Sequence, residues 1–120
     1  MKLVTKRQAR VGDLLVRTIA ELIQRKVKDP RVEGVTITGV DVSMDLKIGR
    51  VFFCIINEDR KDQAQQGLDS AAGYLRHELR KILHLKNVPV LSFQYDSSFE
   101  YGSKIDGILE DMEKDEKSDY

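Results

Sequence analysis

Leu68-Asp-Ser-Ala-Ala-Gly-Tyr-Leu-Arg-His-Glu-Leu-Arg-Lys-Ile-Leu-His-Leu85 is the stretch on which the reading of this chain turns. From Gly73 onward its spacing predicts an amphipathic helix. At 100° per residue, Leu75, Leu79, Ile82 and Leu83 share one face, and Arg76, His77, Arg80, Lys81 and His84 fall roughly opposite. The apolar side must cover a core, so the basic side is expected to face outward. Ahead of it stand Ala71, Ala72 and Gly73, three small residues that let a helix bend and another backbone approach. The expectation is a short helix over 62–71, a kink at Ala71-Ala72-Gly73, and then the basic helix. Gly73 would then sit near a helix N-terminus, where free N–H groups favour a phosphate.

Working outward, a 120-residue chain suits a single domain. There is no Trp and few aromatics, so Val, Ile and Leu must supply most of the core. Formal net charge is zero, which argues against indiscriminate coating of nucleic acid. The charge is unevenly spread, however. Residues 1–31 are rich in Lys and Arg against Asp13, Glu21 and Asp29, whereas residues 96–120 are rich in Asp and Glu against Lys104, Lys114 and Lys117. Cys54 is the only cysteine and lies in an apolar run, which excludes an intramolecular disulfide and reads as an inert buried thiol. The basic start lacks the apolar core of a secretory signal, and no apolar run approaches the roughly 20 residues of a membrane span.

N-terminal to the central stretch, Thr5 to Gln8 fits a capping box, and Val11, Leu15, Ile19, Leu22 and Ile23 form a helical stripe. Leu14 departs from it and is expected to be partly exposed. Arg10 and Arg17 are among the basic residues on the other side. Asp29-Pro30 is expected to end this helix near residue 28. Val35–Val42 reads as a strand whose alternation changes phase at Gly39, the mark of a bulge. Ser43–Leu46 is a turn, and Ile48–Ile56, apolar from Val51 on, is a central strand that closes a hairpin. Beyond the basic helix, Pro89 opens a third strand with Leu91, Phe93 and Tyr95 on its buried face. Ser97–Glu100 fits a second capping box for a final helix through Ile105, Ile108, Leu109 and Met112. Residues 113–120 are an acidic tail, expected to be disordered, so the domain is read as 1–112.

Helix, strand, strand, helix, kink, helix, strand is an α+β order and that of a type II KH domain, a small nucleic-acid-binding fold, here with an extra C-terminal helix. An ordinary KH domain clamps backbone phosphates with a Gly-x-x-Gly loop between paired helices. No two glycines here are three apart, and Ala71-Ala72-Gly73 stands where that loop would be.

On these residues the chain resembles the ribosome-binding factor A family. That family is similar to a KH domain with an Ala-x-Gly kink in place of the glycine loop. The stretches that carry the likeness are Asp29-Pro30-Arg31, Val35–Thr38, Val42–Leu46, Ala71–Arg76, Pro89–Phe93 and Asp96–Gly102. The resemblance implies a non-catalytic, monomeric cytoplasmic factor, active especially in the cold. It would bind small-subunit rRNA in free or immature 30S particles and support late 16S rRNA 5′-end processing. Ribosomal proteins or an assembly GTPase would be further partners, with no membrane and no cofactor. Arg76, Arg80 and Lys81 would meet phosphates, which positions a protein on RNA without reading sequence. Arg10, Arg17, Arg31 and Lys86 would extend that surface. The residues alone fit an ordinary solvated helix face equally well. A second functional class is a module that docks a basic ribosomal protein through the acidic C-terminal region. Catalysis finds little support: His77 and His84 are a rise of about 10 Å apart on a helix, too far to share a metal. Asp41 and Asp45 read as turn residues.

Overall fold

Thr5 starts the first helix, α1 (Lys6–Arg25), by the expected reciprocal cap: its hydroxyl accepts from the Gln8 N–H, and the Gln8 side chain accepts from the Thr5 N–H. Gln8 is itself buried, and its amide donates to the Val42 carbonyl at 2.9 Å, pinning α1 to the end of a strand. The structure is a computed structural model that describes residues 5–85 and 87–97. Lys86, the 113–120 tail, the second capping box beyond Ser97 and the final helix therefore lie outside the described residues.

Three strands follow: β1 (Val35–Val42), β2 (Ile48–Ile55) and β3 (Val90–Tyr95). Their order is β1-β2-β3, with β2 central as its apolar run implied. β1 pairs antiparallel with β2, and the register slips between Ile37 and Gly39, where the phase change predicted a bulge. β3 runs parallel to β2, from Ile48↔Val90 to Phe53↔Tyr95. A parallel neighbour needs a long crossover, and the helix α2 (Lys61–Ile82) supplies it.

Both helices cover one face of the sheet. Leu15 and Ile19 of α1, and Leu68, Leu75 and Leu79 of α2, are fully buried against Val51, Phe53, Leu91 and Phe93. Gly12 allows α1 to lie close over β1; a Cβ there would come within 3.0 Å of the Val40 carbonyl oxygen. Leu14 is partly buried at the margin of the core.

The structure corrects the helix boundaries. The expected division into two helices at Ala71-Ala72-Gly73 does not occur: α2 is one helix of 22 residues, and Gly73 lies inside it. A glycine in a helix interior costs about 1 kcal/mol relative to alanine. Burying a single leucine returns about 1.5–3 kcal/mol, so the stripe Ala64, Leu68, Leu75 and Leu79 keeps the helix continuous. Gly73 is thus no helix N-terminus, and the phosphate site expected there does not exist in that form. α1 stops at Arg25, three residues early, and Asp29-Pro30 opens a 3-10 turn (Pro30–Val32) instead. α2 ends at Ile82, because Leu83 turns extended. Leu83 enters the core in place of Ile82, which is half exposed. Ile56, expected in β2, is outside the strand and exposed.

Gly67 has a role that a helix-propensity reading misses. A Cβ there would sit 2.8 Å from Val32 Cγ1 and 2.9 Å from Arg31 Cβ. Its missing side chain lets the 3-10 turn seat on α2. Arg60 holds the same turn from outside, donating to the carbonyls of Pro30 at 2.6 Å and Glu33 at 3.2 Å.

Candidate nucleic-acid interface

The basic residues of α2 occupy different chemical situations. Arg76 is half-buried, and its Nε and Nη2 both donate to the Val88 carbonyl at 3.1 Å. It ties the helix to the segment that leads into β3, and its donors on that side are used. Arg80 is exposed on the last turn and pairs with no described residue. Lys81, also exposed, meets Glu78 at 3.1 Å, a surface pair of small energetic weight. Arg80 and Lys81 also complement the negative end of the helix dipole. The outward basic face is therefore narrower than the helical wheel drew it. Arg80 and Lys81 remain on it, and Arg76 is a structural residue.

Arg10 and Arg17 stand exposed on α1, in the same helical layer as α2. No described residue pairs with either. Arg31 belongs to the 3-10 turn instead. Its guanidinium forks onto Asp29, with contacts from 2.7 to 3.1 Å, and the Arg31 N–H also donates to that carboxylate. These bonds hold the Asp29 carboxyl below the usual carboxylate range and raise the Arg31 guanidinium. Arg31 thus offers a neutralised pair to solvent, not a free cation.

Beside β3, side chains of α2 occupy the strand's polar groups. Gln65 donates to the Phe93 carbonyl at 2.8 Å, and Lys61 lies 4.8 Å from the centre of the Tyr95 ring. No spacing rule links Gln65 to Phe93, so only the fold reveals the contact. Ala71 and Ala72 are partly buried and Gly73 is exposed, with nothing within 4 Å of a Cβ placed on it. The small residues leave a bare stretch of helix surface next to Arg76 and Arg80.

Other chemistry finds less support. An open groove of about 680 Å³ between the end of α1 and the start of β1 has Lys28 against Asp29 and Glu33, so it is no anion site. Among the described residues, no group of three His, Cys, Asp or Glu is placed to hold a metal ion. Asp45 accepts from the Ser43 hydroxyl and the Lys47 N–H, which lowers its carboxyl and fits the turn role. Asp41 approaches Arg50 only at 4.0 Å. Cys54 is buried, and burial raises its thiol, as expected of an inert cysteine. No described helix is long and apolar enough to cross a membrane.

Residues 7–109 match the family described as Ribosome-binding factor A. The chain is 50% identical over 114 residues to the Ribosome-binding factor A of Syntrophobacter fumaroxidans, covering 92% of this chain and 97% of that one. Its fold is similar to the crystal structure of ribosome-binding factor A from Thermus thermophilus. The TM-score is 0.67 at 27% identity, covering 73% of this chain and 94% of that one. It is also similar, with TM-score 0.60 at 28% identity, to a homology model of the Thermus thermophilus factor fitted into a cryo-EM map of its 30S complex. That match covers 69% of this chain and 88% of the other.

Proposed function

We propose, from the premise that this chain belongs to the ribosome-binding factor A family, that it is a non-catalytic assembly factor for the 30S subunit. It binds small-subunit rRNA in free or immature particles and supports late 16S rRNA 5′-end processing in the cytoplasm, with greatest demand in the cold. The observation that carries the reading is the pair Arg80 and Lys81. Both are exposed at the end of a helix whose opposite side is locked into the core by Leu75 and Leu79. A cation on a rigid helix meets a phosphate without first ordering its own backbone, and such contacts set register on RNA. Arg10 and Arg17 on the neighbouring helix extend the surface, and Lys86 is proposed to join it. Ala71, Ala72 and Gly73 supply a place where an RNA backbone approaches the helix closely.

The likeness to a relative built into a 30S map supports the choice of partner. The test is co-sedimentation of the purified protein with immature and mature 30S particles, alongside precursor 16S rRNA in cells depleted of it. Binding to immature particles and accumulation of 5′-extended precursor are the expected results. Purified protein that shortens the precursor unaided would contradict a non-catalytic role. Equal binding to any RNA would contradict a subunit-specific one.

A further inference from the structure

Tyr74 is 44% exposed, on a helix whose other side is locked into the core. The other described aromatic residues serve the sheet. Phe53 and Phe93 lie in the core, Tyr95 meets Phe53 edge to face, and Phe52 is half-buried. Tyr74 has no such role: among the described residues, none stacks on its ring or bonds to its hydroxyl. A lone exposed aromatic is ordinary on a protein surface. The neighbours of this one make it informative.

At 100° per residue, Ser70, Tyr74, His77 and Lys81 fall within an arc of about 60° on α2, and all four are exposed. The buried Leu68, Leu75 and Leu79 lie at least about 100° round from Tyr74. Residues three and four apart on a helix have Cβ atoms about 5–6 Å apart, so His77 is the direct neighbour of Tyr74, and Lys81 of His77. Long helical side chains lean toward the N-terminus. Lys81 does so, meeting Glu78 at 3.1 Å, which brings its ammonium back toward Tyr74. Gly73 lies beside the two rings, and a Cβ there would meet nothing within 4 Å. Unlike Gly67, it seats no neighbouring segment, yet it costs the helix about 1 kcal/mol. What it supplies is open surface next to Tyr74 and His77.

We infer that Tyr74 stacks on an unpaired base of the bound RNA, with His77 as the second ring and the bare surface at Gly73 admitting the edge of the base. The inference rests on the RNA-binding reading of α2 and adds the class of nucleotide that the helix takes: one splayed from a loop, a bulge or a single strand, not one held in a duplex. Such bases stack on aromatic side chains, and the stacking tolerates any sequence because every base has a π-face. A ring carried on a rigid helix meets the base without first ordering its own backbone. Arg80 and Lys81, on the following turns, take the adjacent phosphates. The cations then supply the salt-dependent part of binding, and Tyr74 supplies a part that salt does not screen.

Co-sedimentation with 30S particles across a salt series separates the two parts. Tyr74→Ala should weaken binding about 5- to 100-fold and keep the wild-type salt slope, because stacking releases no counterions. Its urea midpoint should stay at the wild-type value, as for other exposed residues. Tyr74→Phe, which keeps the ring, should bind as the wild type does. The chain has no tryptophan, so Tyr74→Trp adds a single reporter, and its fluorescence should be quenched when 30S particles are added. Wild-type binding in Tyr74→Ala overturns the inference, as does a loss in Tyr74→Phe equal to that in Tyr74→Ala. Unquenched emission from bound Tyr74→Trp also overturns it, by placing the ring against something other than a base. If Arg80→Ala/Lys81→Ala binds weakly and Tyr74→Ala does not, the stacking alone fails; wild-type binding in both removes the RNA-binding face of α2 itself.

Discussion

Arg76 and Val88 are joined by a forked hydrogen bond, Nε and Nη2 of the one to the carbonyl of the other, both at 3.1 Å. The bond ties α2 to the start of β3 across a parallel crossover, where no tight turn fixes the geometry. Arg76→Ala should therefore cost about 1–2 kcal/mol, in the range for a hydrogen bond to a charged group at a half-buried site. Arg80→Ala should fall within about ±0.5 kcal/mol, as for an exposed residue. Urea unfolding of the two single mutants checks this, and equal stabilities would remove the distinction between them.

The two glycines of α2 should respond in opposite directions to alanine. At Gly73 a Cβ meets nothing within 4 Å, so Gly73→Ala should stabilise by about 0.5–1 kcal/mol. At Gly67 it collides with Val32 Cγ1 and Arg31 Cβ, neither of them the free end of a flexible side chain. Gly67→Ala should therefore destabilise by about 1–2 kcal/mol after the gain in helix propensity. Thermal melts of both mutants give the signs directly. A loss of stability at Gly73 would contradict the open space found around it.

Acid should weaken the Pro30–Val32 turn. The Arg31 side chain, then its N–H, holds the Asp29 carboxyl below its usual range. A depressed carboxylate adds stability that is present at neutral pH and disappears as pH falls through the lowered value. The stability gap between wild type and Asp29→Asn should be constant above about pH 5 and shrink toward pH 3. A gap that widens on acidification would contradict the assignment. Urea midpoints at neutral, mildly acidic and strongly acidic pH decide it.

Much of the fold is legible in the sequence, because hydrophobic spacing reports local geometry. The Thr5–Gln8 cap, the bulge at Gly39 and the buried face of Leu91 and Phe93 follow from it, and the structure contains all three. The continuity of α2 does not follow, since glycine and alanine permit a helix to end there but do not compel it. What decides is the burial of Leu68 and Leu75 on either side, a long-range fact. The candidate site is legible as a set of cations on one helix face. Which of them are free is not, because Val88 and Asp29 claim Arg76 and Arg31 through contacts that spacing rules do not encode. Gln65 and Arg60 escape notice for the same reason: their partners lie 28 and 30 residues away.

The central claim is that Arg80 and Lys81 bind rRNA phosphates, and co-sedimentation with 30S particles across a salt series tests it most directly. The log–log slope of binding against salt falls by about 1 for each phosphate that the protein no longer neutralises. Arg80→Ala/Lys81→Ala should stay folded, bind weakly at low salt and show a slope smaller by about 2. Lys114→Ala/Lys117→Ala, which removes the same charge from the acidic region, should bind as the wild type does. Wild-type binding and slope in the first mutant, or equal weakening in both, would contradict the account.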